Sequence, residues 1–246
     1  MSAYGALAQW YDSLTTDVPY DELATYYETL LRREGRDHLT LLDLCCGTGT
    51  LTTMLAQRGH ELIGVDFSPE MLALAAEKAA EADCDYRPLY LCQEAAELDL
   101  YGTVDGAYCS LDGMNYLPPE DLAPLFEKLH LFIEPGGKFV FDFHSPDFLR
   151  SLDGGTFVDE DEDVLCLWRG EFDEEENALF YGMDIFRRAG ELWQREEEEH
   201  VEYAHSPEEL TALLEAAGFT GIQLLHDGPL CGMGRLFILA ENLPQS

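Results

Sequence analysis

The sequence predicts an α/β fold, a doubly wound sheet of seven mostly parallel strands with a three-stranded antiparallel insertion. Apolar strand-like runs alternate with amphipathic helix-like runs from residue 39 to residue 144. This alternation is typical of a parallel sheet covered by helices on both faces. Beyond residue 150 three apolar and aromatic stretches follow one another with turn residues between them, which is typical of an antiparallel meander. We therefore expect one domain over residues 1–246, with the insertion at 155–204.

The first half of the chain supplies two opening helices and two strand–helix units. Residues 2–12 and 20–34 have helical apolar spacing, and the break between them contains Pro19. The run "LTLLDL" predicts a strand, and "TLTTMLAQRG" predicts a helix that ends at Gly59. "ELIGVD" predicts the second strand. "SPEMLALAAEKAAEA" predicts a helix with a serine cap and a proline in its first turn.

The second half completes the sheet around the insertion. "YRPLYLC" and "TVDGAYCSL" predict strands, "PPEDLAPLFEKLHLFI" a helix, and "GGKFVFDFH" a strand that follows a turn at residues 134–137. The meander comes next. After it, "SPEELTALLEAAGF" predicts a capped helix, and "IQLLHDG" and "RLFILAEN" predict the two closing strands.

Composition excludes several classes of function. The 246 residues include 49 acidic and 14 basic side chains, a net charge of -35 that repels phosphate backbones and disfavours a nucleic-acid partner. The seven cysteines have no metal-ligand spacing, so we expect no metal and a reducing, cytoplasmic location. No apolar run is long enough to cross a bilayer, and we expect no membrane partner. The acidic runs at 159–163, 173–176 and 196–199 are typical of solvated surface.

The stretch "LLDLCCGTGT" at residues 41–50 is the first strand-to-helix turn, where doubly wound sheets bind ligands. A dinucleotide turn would need a third glycine where Thr52 stands, and the carboxylate of Asp43 is a poor neighbour for pyrophosphate. The second strand ends at Asp66, in the place of an acid that binds ribose hydroxyls. One carboxylate for a cation and one for a ribose favour S-adenosylmethionine as the cofactor.

The order of these motifs resembles that of the class I S-adenosylmethionine-dependent methyltransferases. The family pattern of an acid, a G-x-G turn and G-x-D-x-S-x-x-M-L is matched by "DLCCGTGTLTTMLAQRGHELIGVDFSPEML", residues 43–72. "VDGAYCSLDGMNYL" and "EPGGKFVFDFH" also match, so the resemblance extends over about residues 39–144. The N-terminal segment "YGALAQWYDSLTTDVPY" resembles that of a bacterial branch of the family without an established substrate, in which an aromatic-rich opening helix closes over the cofactor.

The resemblance implies a set of cofactor-binding residues and an N-terminal helical lid at 1–35. Asp43 and the glycine turn would hold the methionine moiety, Asp66 the ribose, and the residues after strands two, three and four the adenine and the sulfonium. The candidates for lid residues are Tyr4, Trp10, Tyr11 and Tyr20. The predicted cofactor-binding residues are Asp43, Cys45, Gly47, Thr48, Gly49, Asp66, Phe67, Met71, Gln93, Glu94, Ala95, Ser110, Leu111, Tyr11 and Tyr20.

Methyl transfer needs a base only where the acceptor must lose a proton. The candidates at the strand ends are His144, Asp112 and Tyr116, although His144 could equally be satisfied by a neighbouring carbonyl group. The family's N/D-P-P-Y motif is replaced by "LDGMNYLPPE", which removes the usual support for methylation of DNA or protein amides.

The insertion has two interpretations. It could roof an acceptor pocket with Trp168, Phe172, Tyr181, Met183 and Trp193, or it could form a homodimer surface. We predict methyl transfer to a small-molecule acceptor. The alternatives are an RNA or protein acceptor, a non-catalytic assembly or regulatory partner, and a nicotinamide-dependent oxidoreductase, which Asp43 and Thr52 disfavour.

Overall fold

The seven-stranded sheet runs in the spatial order β10-β11-β5-β4-β1-β2-β3, in a computed structural model that describes residue 5 and residues 7–243. Only β11 runs antiparallel to its neighbours β5 and β10. The strands of this sheet are β1 (Thr40–Leu44), β2 (Glu61–Asp66), β3 (Leu89–Cys92), β4 (Val104–Cys109), β5 (Ile133–His144), β10 (Thr220–Leu225) and β11 (Arg235–Asn242).

Helices cover both faces of this sheet, as the alternating pattern predicts. One face packs against α2, α3 and α4, and the other against α5 and α7. Serine caps begin α4 and α7 where they are expected, with Ser68 Oγ accepting from the Met71 N–H and Ser206 Oγ from the Glu209 N–H. The helices are α1 (Ala8–Leu14), α2 (Tyr20–Leu31), α3 (Thr50–Gln57), α4 (Pro69–Glu81), α5 (Pro119–Phe132), α6 (Pro146–Ser151) and α7 (Pro207–Ala217).

The insertion is a separate four-stranded antiparallel sheet, so the prediction of three strands is wrong by one. Its strands are β6 (Thr156–Glu160), β7 (Val164–Asp173), β8 (Ala178–Ala189) and β9 (Leu192–Tyr203), in that spatial order. Strand β6 is the short edge strand, and all five of its residues are exposed. It therefore has no buried face and no alternation of apolar and polar residues from which it could be predicted.

Two local predictions also need correction. Residues 134–137 are not a turn before β5 but part of it, where the chain bulges: Ile133 pairs with Val104, and Lys138 pairs with Gly106. The second predicted helix ends at Leu31 instead of residue 34, and the described part of the first runs from Ala8 to Leu14. Tyr4 lies outside the described residues.

The two opening helices have different surroundings. Leu23, Tyr27 and Leu31 of α2 are buried in the core on one face of the large sheet. Helix α1 packs instead on the insertion, where Leu7 and Trp10 contact a cluster formed by β7 and β8. The part of the predicted lid that joins the two sheets is therefore α1. No helix in the described part of the chain has the length and apolar character needed to cross a membrane.

Candidate active site

The carboxyl ends of β1, β2 and β4 meet at one edge of the sheet and border a cavity. All of the predicted cofactor-binding residues line this cavity except Asp43 and Gly49, and Tyr116 lines it too. Lining residues that the sequence did not identify are Leu44, Cys46, Thr50, Leu51, Val65, Ala96, Gly113, Leu117, Pro118 and Asp121.

The glycine turn after β1 is shaped by two glycines with different tasks. Gly47 has φ +53°, and a side chain there would project into open space. Gly49 has φ +68°, and a Cβ there would come within 2.6 Å of the Tyr90 hydroxyl and 2.8 Å of Ala75 Cβ. Gly47 therefore leaves room at the cavity, whereas Gly49 permits the close approach of the turn to β3 and α4.

Asp66 at the end of β2 is fixed by the backbone around it. Its Oδ2 accepts a hydrogen bond from the Gly47 N–H and its Oδ1 one from the Ser68 N–H, each at 2.9 Å. Burial raises its pKa and the backbone donors act against that rise. Each oxygen retains a further lone pair, so the carboxylate can still accept hydrogen bonds from ribose hydroxyls.

Asp43 lies behind the cavity, not on its wall. It is 1% exposed; the Thr52 hydroxyl donates to its Oδ2, and its Oδ1 has no hydrogen-bond partner of good geometry among the described residues. Burial raises the pKa of Asp43 to about 7, the hydroxyls of Thr52 and Tyr108 lower it, and the negative charge of Asp66 adds to the rise. A buried carboxyl that is paired with no positive side chain among the described residues fits a cationic ligand.

Asp43→Asn should alter how stability depends on pH. Because the folded pKa of about 7 lies above the usual 3.8, Asp43 makes folding less favourable as pH rises from about 4 to 7. We expect the variant to exceed the wild-type protein in unfolding free energy at pH 8 by about 1–4 kcal/mol. The gain should disappear near pH 4 in urea titrations of the ligand-free protein. A difference that does not vary with pH would contradict the assignment.

Several loop residues at the cavity are held in the left-handed backbone region, which is uncommon for side chains other than glycine. Cys45 has φ +57°, Leu111 φ +54° and Asp112 φ +57°. Such strain concentrates at functional sites. Gln93, in contrast, bonds through its side-chain amide to both the N–H and the carbonyl of Asp99, so this amide supports the loop.

Helix α1 is tied to the cavity by Asp12, a residue that the sequence did not identify. Thr48 of the glycine turn donates to Asp12 Oδ1 at 2.6 Å, and Lys78 of α4 donates to Asp12 Oδ2 at 2.7 Å. The insertion holds the start of the helix, because Glu198 Oε1 accepts from the Leu7 N–H at 3.1 Å. These contacts place Tyr11 at the cavity.

Lys78→Met should loosen the attachment of α1 to the glycine turn, because Lys78 donates to Asp12 and to the cavity-lining hydroxyls of Thr48 and Thr50. The ion pair is partly exposed, so we expect a loss of about 1 kcal/mol and a three- to tenfold faster dissociation of the bound cofactor. Stopped-flow displacement of S-adenosylhomocysteine measures that rate. Lys128→Met on α5 is the control, and equal rates for the two variants would show that α1 does not retain the ligand.

Two of the three predicted catalytic residues lie next to the cavity and not on its wall. Asp112 is paired with Arg235, and His144 lies between Arg235 and Glu202. Asn115 fixes this end of β5, with Nδ2 donating to the carbonyl groups of His144 and Tyr203.

The sequence did not identify the charged residues around Asp112 and His144, and there are two physical reasons for this. Arg235 and Asp142 stand alone in apolar strands, and a buried charge in such a run is the signal that could have revealed them. Glu198 and Glu202 belong to an acidic stretch, but alternation along β9 places both on its buried face.

Trp168, Phe172, Tyr181, Met183 and Trp193, the predicted roof of an acceptor pocket, are all absent from the described lining of the cavity. Trp168, Tyr181 and Met183 pack against α1 or α6, whereas Trp193 lies 48% exposed beneath the Arg188 guanidinium at the far end of the sheet. The expectation for Trp193 is therefore wrong, because its position in the strand alternation places it on the outer face.

Comparisons with known proteins agree with this geometry. A family model described as a methyltransferase domain matches residues 41–137. YqeM of Bacillus subtilis (strain 168), which carries the name of a methyltransferase, is 32% identical over 247 residues and covers 97% of each chain. This chain belongs to the class I S-adenosylmethionine-dependent methyltransferases.

Solved methyltransferase structures show the same architecture. An S-adenosylmethionine-dependent methyltransferase from Clostridium acetobutylicum ATCC 824 superposes with a TM-score of 0.84 at 27% identity, over 98% of this chain and 99% of that one. The sugar N-methyltransferase KedS8 from Streptoalloteichus sp. ATCC 53650 gives 0.76 at 21% identity, over 92% and 88%. The seven-stranded sheet and the antiparallel insertion of this methyltransferase are thus features of a known fold.

Proposed function

We propose that this methyltransferase binds S-adenosylmethionine in the strand-end cavity and transfers its methyl group to a small molecule. The observation that carries the proposal is the wall formed by Asp66 and Gly47: a fixed carboxylate stands beside a glycine turn that leaves open space. Asp43, buried with an unsatisfied oxygen behind the turn and with a pKa raised by burial to about 7, would be favoured in its ionised form by a cationic ligand. The described residues that line the cavity contain what a sulfonium-bearing nucleoside needs and include no lysine or arginine to pair with a pyrophosphate.

The chain's own residues then supply binding, alignment and exclusion of water. Asp66 would hold the ribose, Phe67 and Met71 the adenine, and Ser110 and Leu111 the methionine end, all on the cavity wall. When bound, the cofactor provides an activated methyl group for in-line displacement. Tyr11 and Tyr20 close the cavity from the α1 side and limit the entry of water.

A small acceptor fits the enclosure and the charge of the chain better than RNA does. Tyr11 of α1 lines the cavity and α1 packs on the insertion, while the net charge of -35 repels a phosphate backbone. KedS8, named as a sugar N-methyltransferase, is a protein of this fold that acts on a small molecule.

Incubation with an isotopically labelled methyl donor tests the proposal. The protein is mixed with metabolite, RNA and protein fractions of a bacterial extract, and each fraction is analysed by mass spectrometry. We expect label in the metabolite fraction and none with Asp66→Ala. Label confined to RNA or protein would contradict a small acceptor, and unlabelled fractions together with a co-purifying partner would favour an assembly role.

A further inference from the structure

Five side chains behind the cavity form one network, which we call the ionic cluster: Asp112, Asp142, His144, Glu202 and Arg235. Arg235 Nη2 donates to Asp112 Oδ1 at 2.7 Å and to His144 Nε2 at 3.2 Å, and its Nη1 pairs with Asp142. His144 Nδ1 lies 3.2 Å from Glu202 Oε2. The cluster thus joins the ends of β4 and β5 to the insertion and to β11.

One end of the ionic cluster adjoins the cavity. Asp112 stands between Leu111 and Gly113, which both line the cavity wall. The side chains of Asp112 and His144 are each 15% exposed, whereas those of Glu202 and Arg235 are 5% and 8% exposed. The accessible end is therefore formed by Asp112 and His144, beside the segment that lies under the predicted position of the sulfonium.

The ionic cluster contains more negative than positive charge. Three carboxylates face one guanidinium, and a protonated His144 would still leave an excess of one negative charge. Burying unpaired charge is costly, so a site of this composition favours an additional cation. The cluster is therefore complementary to a positively charged acceptor.

The titration of two members agrees with this excess. Burial lowers the pKa of His144, but the carboxylates of Asp112 and Glu202 outweigh burial and leave it raised. Burial raises the pKa of Glu202, and its hydrogen bond with His144 acts in the opposite direction. Both shifts favour uptake of a proton.

Other titratable groups border the ionic cluster. The Tyr27 hydroxyl of α2 donates to Asp142 Oδ2 at 2.6 Å. Tyr181 of β8 lies beside Glu202, and Tyr11 of α1 lies within the field of Asp112 and Arg235. Burial raises the pKa of each of these phenols, so they stay neutral in the range where His144 titrates.

We propose that the acceptor of the methyl transfer proposed above is an amine, with Asp112 binding its ammonium form and the Glu202–His144 pair removing its proton. Asp112 Oδ1 and His144 Nε2 contact the same guanidinium nitrogen of Arg235, so an amine that approaches one of them is close to the other. Glu202 accepts from Nδ1–H, so the lone pair of His144 is on Nε2, where it accepts the 3.2 Å contact from Arg235 Nη2; the amine proton has to replace this contact.

The reaction balances with these groups. An ammonium proton passes to His144 Nε2, and Glu202 stabilises the imidazolium that forms. The freed nitrogen lone pair forms the new N–C bond while the S–C bond breaks and its electron pair stays on sulfur. The methylated ammonium product then leaves, and His144 returns its proton to solvent.

A metal ion is a less suitable occupant of this place. One ligand atom from each of Asp112, His144 and Glu202 lies within 4.8 Å of the others. A metal ion would have to displace Arg235 from both the Asp112 and the His144 atoms, whereas an ammonium group needs only a further lone pair of the Asp112 carboxylate and replaces the 3.2 Å contact at His144. We therefore assign the group to proton transfer and amine binding.

The first test blocks amines in the acceptor mixture. A metabolite extract is treated with N-hydroxysuccinimidyl acetate, which acylates primary and secondary amines, and is then incubated with the full chain and labelled methyl donor. We expect acylation to reduce labelled product at least tenfold. Undiminished labelling, or labelling that requires an added divalent cation, would overturn the amine proposal. No label from the untreated extract would instead count against the methyl transfer on which it rests.

The second test separates proton transfer from structural support. Glu202→Gln should lower the pKa of His144 in an NMR titration of the ligand-free protein and move the acidic limb of the rate profile to lower pH. We expect its rate at neutral pH to fall roughly 10- to 100-fold. Glu199→Gln, on the exposed face of the same strand, should change neither quantity. Asp112→Asn should mainly raise the amount of metabolite extract needed for half-maximal labelling; an unchanged amount in Asp112→Asn and wild-type protein would contradict its role.

Discussion

Asp66→Ala should weaken binding of S-adenosylmethionine at least about a hundredfold. The substitution removes a carboxylate positioned for two ribose hydroxyls, and hydrogen bonds to a charged acceptor contribute about 1.5–3 kcal/mol each. The substitution also removes the acceptor of the hydrogen bonds that the Gly47 and Ser68 N–H groups donate to Asp66. The glycine turn thereby loses its link to β2. Isothermal titration calorimetry with S-adenosylhomocysteine measures the change.

Asp99→Ala is the matched control for this experiment. Asp99 is exposed, and its contacts with Gln93 use its backbone, so the loop should keep its shape. We expect the control to bind the ligand within about twofold of the wild-type value. Equal affinities for Asp66→Ala and Asp99→Ala would remove Asp66 from the cofactor site.

Arg235→Met should be among the most destabilising single substitutions in the chain. Arg235 is 7% exposed and pairs with both Asp112 and Asp142, the latter completely buried. Removing the guanidinium leaves these carboxylates without a positive charge, and breaking a buried pair in this way costs about 3–5 kcal/mol. Urea unfolding monitored by tryptophan fluorescence should show a correspondingly lower midpoint.

Arg188→Met provides the comparison for a surface ion pair. Arg188 pairs with Asp163, and the two side chains are 48% and 56% exposed. Exposed pairs contribute about 0–1 kcal/mol, so Arg188→Met should lower the unfolding free energy by at most about 1 kcal/mol. If Arg235→Met lost no more stability than Arg188→Met, the ionic cluster would not be the buried charge network described here.

The cofactor edge of the site could be predicted because its determinants are local. A glycine turn, the acid that ends β2 and the serine cap of α4 all lie within residues 43–72, so their spacing along the chain reflects their spacing in the fold. The mostly parallel sheet with helices on both faces follows from the alternation of strands and helices. Because these spacings are local, Gly47 and Asp66 both line the strand-end cavity, the place that the sequence predicts for them.

The ionic cluster and the attachment of α1 could not be predicted because their contacts join distant segments. Arg235 meets Asp142 across 93 residues, and Asp12 meets Lys78 across 66. The acidic run at 196–199 was interpreted as solvated surface, yet Glu198 is only 7% exposed. Whether Glu198 is buried depends on which face of β9 packs against the rest of the protein. Long-range packing determines that face, and the local sequence does not.

Calorimetric titration of the wild-type chain with S-adenosylmethionine tests the central claim most directly. We predict saturable binding of one ligand per chain, with a dissociation constant well below a millimolar, and loss of that binding in Asp66→Ala. Absence of binding by the folded wild-type chain at millimolar ligand would contradict the assignment of the strand-end cavity to this cofactor.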